Sequence, residues 1–313
     1  MCLALLAAGL AAAQQPVIRV DVNLVRILAT VKNTAGDLVG TLAKDDFEVL
    51  DNGVPQQIAV FEHHTELPLS VAMMVDTSGS TAKELRYELE SVNRFFKALF
   101  TEGNPEDKLA LYSFNWEVKR WNFFTHNLGS LEKSLRAFKA EAGTAMYDAI
   151  YLASRDLEGR EGRHAMIIVT DGGDTTSSTT YHQALQAAQM ADAVIYPVLV
   201  MPITADAGRN IGGENALATM AASTGGRVFA PSIGPGLDAA FTEIIRELRT
   251  QYLLGYYPKN LPETSDRFHR LQIRTRRPDL RVLARSGYYG DSGSAAADPD
   301  ARVTVTPQTK QEK

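Results

Sequence analysis

The chain has 313 residues, 45% of them hydrophobic, enough for one large domain or two modest ones with cores of their own. Its 32 basic and 37 acidic residues give a net charge of −5 and are spread without a basic block, which argues against a nucleic-acid partner. An acidic chain attracts no anionic ligand over long range, so recognition of one would depend on the local charge of a bound cation.

Residues 1–15, MCLALLAAGLAAAQQ, read as the remnant of a signal peptide: an apolar run closing in Ala-Ala-Ala-Gln. The usual basic residues in front are missing, so either the true start lies upstream or the segment is trimmed. The expected location is secreted, periplasmic or in the cell envelope. Cys2 is the one cysteine and lies inside this segment, leaving the mature chain without a disulfide. No later apolar run reaches membrane-spanning length, so no transmembrane segment is expected.

Residues 16–66 alternate apolar and polar, as in VIRVDVNLVRILATVKN and FEVLDNGVPQQIAVFE, with Asp51-Asn52-Gly53 as a turn; they predict a β-rich arm. Over residues 67–250 the pattern changes to strands alternating with helices. LSVAMMVD is followed by a helix near 82–100, then LALYSF and an edge strand VKRWNFF. After these come a helix from Thr144, AMIIVTD, a helix near 180–192, AVIYPVLV, a helix near 213–223, RVFAP, and a helix near 236–250. Short apolar strands alternating with helices predict a doubly wound, mostly parallel α/β sheet, with VKRWNFF antiparallel because only a short turn precedes it. Residues 251–290 return to β, with QYLLGYYP, RLQIRTRR and RVLARSGYY. Each β arm is too short to bury a core alone, so the two are expected to pair into one sandwich-like unit flanking the α/β domain. Residues 291–313 lack apolar periodicity and read as disordered.

Three segments carry hard oxygen ligands. The strand VAMMVD runs directly into Asp76-Thr77-Ser78-Gly79-Ser80, placing a carboxylate and two hydroxyls one residue apart on the loop that leaves it. Gly143-Thr144 opens a helix, and AMIIVTD ends in Asp171. In open α/β sheets ligands bind outside the carboxyl ends of the strands, where strand order reverses, so the three segments can meet there. Two carboxylates and three hydroxyls suit a cation of the size of Mg²⁺. Each motif alone also reads as ordinary turn and cap chemistry; it is their combination that marks a site.

In that order and at those separations, DTSGS, GT and TDGGD resemble the metal-ion-dependent adhesion site of von Willebrand factor type A domains. The resemblance covers roughly residues 68–250 and matches Asp76, Ser78, Ser80, Thr144 and Asp171 to the five positions of that site. The flanks DDFEVLDNG and YLLGYYP resemble the bacterial secreted subgroup of the same family. The resemblance implies a bound Mg²⁺ or Mn²⁺ with an open coordination position that a protein partner fills with an Asp or Glu carboxylate. It thus implies a binding and adhesion module without catalytic residues. A structural envelope domain with a stabilising metal is the alternative, and a metal-dependent hydrolase a more distant one. Against the hydrolase, Ser78 lacks a Gly-x-Ser-x-Gly setting, and the acid that a phosphatase carries two residues after its nucleophilic Asp is here a serine.

Several other residues are read more plainly. Asp174, Thr175 and Thr176 read as a solvated loop. Asn115, Trp116 and Trp121 read as core or edge packing, with a binding anchor as the alternative. The stretch 208–213, with Arg209, reads as a flexible loop beside the site. The six histidines show no ligand spacing.

Overall fold

The computed structural model describes residues 24–63, 66–101, 103–200, 210–262 and 267–290; the expected signal remnant and the C-terminal tail lie outside them. The first arm supplies strands β1 (Val25–Asn33), β2 (Phe47–Asp51), β3 (Val54–Gln56) and β4 (Ile58–Glu62). The central unit follows with β5 (Leu69–Asp76), α1 (Leu85–Thr101), β6 (Lys108–Phe114), β7 (Val118–Thr125), α2 (Leu128–Leu135) and α3 (Met146–Leu157). It continues through β8 (Arg163–Thr170), α4 (Tyr181–Met190), β9 (Ala193–Leu199), α5 (Ile211–Thr224) and α6 (Pro235–Arg249). The second arm carries β10 (Tyr252–Tyr256), β11 (Phe268–Thr275), β12 (Leu280–Ala284) and β13 (Gly287–Tyr289).

The central sheet has the order β7-β6-β5-β8-β9, parallel except for β7, which pairs antiparallel with β6 as its short connection predicts. Every residue of β5 and β8 is buried, because helices cover both faces of the sheet. Along β5 the side chains alternate between two cores. Val71, Met73 and Val75 pack with α1, α2 and α6, whereas Ala72 and Met74 pack with α3, α4 and α5. The chain leaves β5 toward β6 on one side and later returns to β8 on the other. Strand order therefore reverses between β5 and β8, and their carboxyl ends open a crevice at that point.

Two elements differ from the sequence reading. Helix α2 was not anticipated; Asn127 caps it by accepting the Ser130 N–H at 3.0 Å, and only Leu131 and Leu135 are buried. RVFAP forms no strand. Gly225 turns the chain at a φ of 89° before it and its own last residue is Pro231, leaving a single bridge between Val198 and Phe229.

The remaining strands form two antiparallel sheets, ordered β12-β1-β10-β4 and β13-β11-β2-β3, each mixing strands from both arms. Ile27, Val31, Phe47, Val49, Tyr252, Leu254, Tyr256 and Leu271 belong to one shared core. Within it, buried Asp51 accepts hydrogen bonds from the Tyr256 and Tyr288 hydroxyls at 2.6 and 2.8 Å, and His269 Nδ1 lies 3.2 Å from its other oxygen. Lys32 of β1 pairs with Glu247 of α6 at 2.8 Å, and Glu247 also pairs with Arg227, tying this unit to the α/β sheet.

Candidate metal centre

The register of the central sheet brings the first and third motifs together. Val75 pairs with Val169, so the next residues, Asp76 and Thr170, lie side by side at the strand ends. The Thr170 hydroxyl donates to Asp76 Oδ2 at 2.7 Å, and the Ser78 N–H donates to Asp76 Oδ1 at 2.8 Å. Each carboxylate oxygen keeps a lone-pair direction free after one such bond. The loop then folds back in a short 3₁₀ turn, Gly79–Thr81. The Thr81 hydroxyl lies within bonding reach of the carbonyls of Asp76 and Ser78, at 3.2 and 3.1 Å. This turn sets the Ser78 and Ser80 hydroxyl oxygens 3.0 Å apart, with Ser78 buried and Ser80 exposed.

Thr144 reaches the same place through Asn115, at the turn between β6 and β7. The Asn115 carbonyl accepts the Ala145 N–H, its side chain lies 3.4 Å from the Thr77 hydroxyl, and the Glu141 N–H donates to the Thr77 carbonyl at 2.8 Å. Gly143 has a φ of 83°, and a Cβ there would lie 2.8 Å from the Trp116 Cβ; only glycine fits without displacing the loop. On the other side the Thr144 N–H donates to the Thr175 hydroxyl at 3.0 Å, and the Thr175 N–H returns to the Thr144 carbonyl at 2.8 Å. Asp174 accepts the Tyr147 N–H at 3.1 Å in the first turn of α3. The segment expected to be a solvated loop thus braces Thr144, and the reason is that it caps the adjacent helix.

Asp171 is half-buried and follows directly on Thr170. Gly172, at a φ of 98°, turns the loop under the start of α5, where a Cβ on Gly213 would collide with the Gly172 carbonyl. Asn210 caps α5 by accepting the Gly213 N–H at 2.9 Å, and its side chain stands against Gly173. Of the stretch 208–213, Gly208 and Arg209 lie outside the described residues, while Asn210 and the residues after it form a helix start against the Asp171 loop.

Residues 71–174 match the family model of the von Willebrand factor type A domain. The central α/β unit is a von Willebrand factor type A domain. No curated protein sequence matches the chain. Among solved structures it is similar to the conserved hypothetical protein BatB from Bacteroides thetaiotaomicron, at 20% identity over 57% of this chain and 97% of that one, with a TM-score of 0.45. It is also similar to the vWF domain of the type V pili tip protein Mfa5 from Porphyromonas gingivalis, at 17% identity over 57% and 94%, TM-score 0.48. The pilus adhesin SpaC from Lactobacillus rhamnosus GG matches at 10% identity over 83% of this chain and 47% of that one, TM-score 0.49.

The electrostatics of the A domain concentrate negative charge in this crevice. Burial pushes the Asp76 carboxyl up to about 6, against the hydrogen bonds from Thr170 and Ser78, and the Asp171 charge adds to the rise. On α1, the helix that follows the first loop, Glu88 is buried, and neither of its carboxylate oxygens has a hydrogen-bond partner among the described residues. Burial pushes its carboxyl well up, and the neighbouring charges that act on it, Asp76, Glu84 and Asp171, are all carboxylates. Such an arrangement is stable at neutral pH only with protons or a cation among the carboxylates. The donors of the five expected residues are all hard oxygens, three of them neutral hydroxyls, and this chemistry fits Mg²⁺ or Mn²⁺. No group of three or more His, Cys, Asp and Glu side chains among the described residues is placed to hold a metal, so the hydroxyls are needed to complete a ligand set.

Two residues of the A domain were misjudged or missed. Trp116 is 57% exposed rather than packed, its indole N–H donating to Glu141 Oε2 at 3.0 Å, and it stands over Gly143 beside Thr144. Trp121, by contrast, packs on Phe138 and donates to the Ser113 hydroxyl at 2.8 Å, as edge packing predicts. Glu88 was not singled out, although the sequence carries a signal for it. It is the one charged residue in the buried stripe Leu85, Glu88, Ser91, Val92, Phe95, Phe96 and Leu99 of α1, where a helix facing a core carries mostly apolar residues.

Proposed function

We propose that this protein is an exported recognition module that binds an acidic group of a protein partner through a divalent cation, Mg²⁺ or Mn²⁺, and carries out no turnover. Asp76, Ser78, Ser80, Thr144 and Asp171 would hold the ion. When bound, the cation supplies a positive charge that an incoming Asp or Glu carboxylate completes. The observation that carries this reading is that three oxygen-bearing loops are hydrogen-bonded to one another at the switch point of the sheet, next to the buried carboxyls of Asp76 and Glu88, whose ionisation other carboxylates oppose. Neutral hydroxyl ligands leave more of the ion's charge unquenched than a shell of carboxylates would, and so favour an anionic partner.

The residues of the chain have separate parts in this. Thr170 and the Ser78 N–H fix the Asp76 carboxylate, while Asn115 and Thr175 fix the backbone of Thr144 from its two sides. Trp116 offers an exposed aromatic face at the rim, of the kind that anchors protein contacts. Ser78 and Ser80 lie within hydrogen-bond distance of each other, and no general base completes a nucleophile pair with either among the described contacts. Among the described residues no helix is long and apolar enough to cross a membrane. Immobilised protein should capture a partner from an extract of the parent cell envelope in Mg²⁺ and release it in chelator. Equal capture in both conditions would contradict the reading.

A further inference from the structure

Glu88 has no role in the five-residue site, yet its setting is unusual for a structural residue. It is 1% exposed on the first turn of α1, in a buried stripe that it shares with Ser91 and with the apolar Leu85, Val92, Phe95, Phe96 and Leu99. Both carboxylate oxygens lack hydrogen-bond partners among the described residues. A buried carboxylate is normally matched by a cation or by several N–H donors, and here the charges acting on it are carboxylates. The partial positive charge of a helix N-terminus is small beside the desolvation of a whole ion. What the location offers instead is a short hydrogen-bonded path to the first loop: the Glu88 N–H donates to the Glu84 carbonyl at 3.1 Å, the Glu84 N–H to the Thr81 carbonyl at 3.1 Å, and the Thr81 hydroxyl lies 3.2 Å from the Asp76 carbonyl, while the charges of Asp76 and Asp171 both act on Glu88.

We propose that Glu88 is a positioning residue for the cation, a buried outer carboxylate that strengthens ion binding from the helix that follows the Asp76–Ser80 loop without ligating the ion. The proposal rests on the metal-binding reading given above. Glu88, Asp76 and Asp171 do not come together as three ligands of one ion among the described residues, so Glu88 is assigned to the layer behind the ligands. Glu88 acts instead through water and through its field, in the way outer groups orient and tighten the ligands of a metal. The same feature explains why an acid occupies the apolar stripe. In the loaded protein the ion balances three carboxylates, and in the ion-free protein they repel one another.

The test compares Glu88→Gln and Glu88→Leu with wild type, using the full chain, by calorimetric titration with Mn²⁺ alone and by urea unfolding in chelator. Gln keeps the shape without the charge, and Leu completes the apolar stripe. Both variants should bind Mn²⁺ some 10- to 100-fold more weakly. In chelator, both should be at least as stable as wild type, because a buried charge among like charges has been removed. A merely structural, protonated Glu88 would leave Mn²⁺ affinity unchanged in Gln, and that result overturns the inference whatever the stability. Loss of stability in chelator for both variants also overturns it. If wild type itself gives no Mn²⁺ heat, the metal reading fails and the Glu88 inference falls with it; wild-type binding that both variants match sinks the Glu88 inference alone.

Discussion

Replacing Asp76 by Asn should stabilise the ion-free protein at neutral pH and weaken it in acid, a reversal that a purely structural aspartate would not show. Asp76 is fully buried, and its carboxyl is held at about 6 against an ordinary 3.8. Because the native value lies above the unfolded one, the native state holds the extra proton between about pH 4 and 6. Stability from this group is therefore intact below pH 4 and is lost as pH rises through 6, by about 3 kcal/mol once the group is ionised. Asn keeps the acceptor for the Ser78 N–H but not the one for the Thr170 hydroxyl, at a cost of about 1 kcal/mol. The variant should gain about 2 kcal/mol at pH 7.5 and lose about 1 kcal/mol at pH 4. Urea unfolding in chelator at the two pH values measures both figures. Added Mg²⁺ should then stabilise wild type but not the variant. An equal loss of stability at both pH values would refute the reasoning, since it would mean that the Asp76 carboxylate carries no penalty for ionising.

Two further outcomes separate the sandwich from the site. Asp51→Ala strands the Tyr256 and Tyr288 hydroxyls and His269 in the shared core of the two arms, and should cost about 3–5 kcal/mol in urea unfolding; a loss below about 1 kcal/mol would show the network to be dispensable. Trp116→Ala should leave Mn²⁺ affinity within about twofold of wild type while weakening partner capture by about tenfold or more, the scale of an interface anchor; unchanged capture would remove Trp116 from the contact surface.

The central sheet was legible because its strands are continuous apolar runs, the pattern of strands covered on both faces, and the antiparallel β7 followed from a turn too short for a crossover. Helix α2 was not, since eight residues with two buried leucines leave little periodicity to read. RVFAP was over-read because apolar composition does not reveal that Gly225 and Pro231 leave one pairing position. At the site, the oxygen-bearing residues stand out as motifs, whereas the residues that brace them do so through backbone contacts that sequence does not display. Asn115 and Asp174 look like turn residues until the loops around Thr144 are seen to close on them. Trp116 looks like any strand-end aromatic until Gly143 is found beneath it. Glu88 is the intermediate case: its place in the apolar stripe breaks the helical pattern visibly, and such breaks mark functional positions more often than stable packing.

The central claim, a cation held by five oxygen-bearing side chains with one position open to an acidic group, is tested most directly by crystals grown with Mn²⁺ and acetate. Anomalous scattering should place one ion among Asp76, Ser78, Ser80, Thr144 and Asp171, with an acetate oxygen or a water at a position facing solvent beside Trp116. An absence of ion density there, or an ion whose coordination is filled entirely by the protein, would contradict the account.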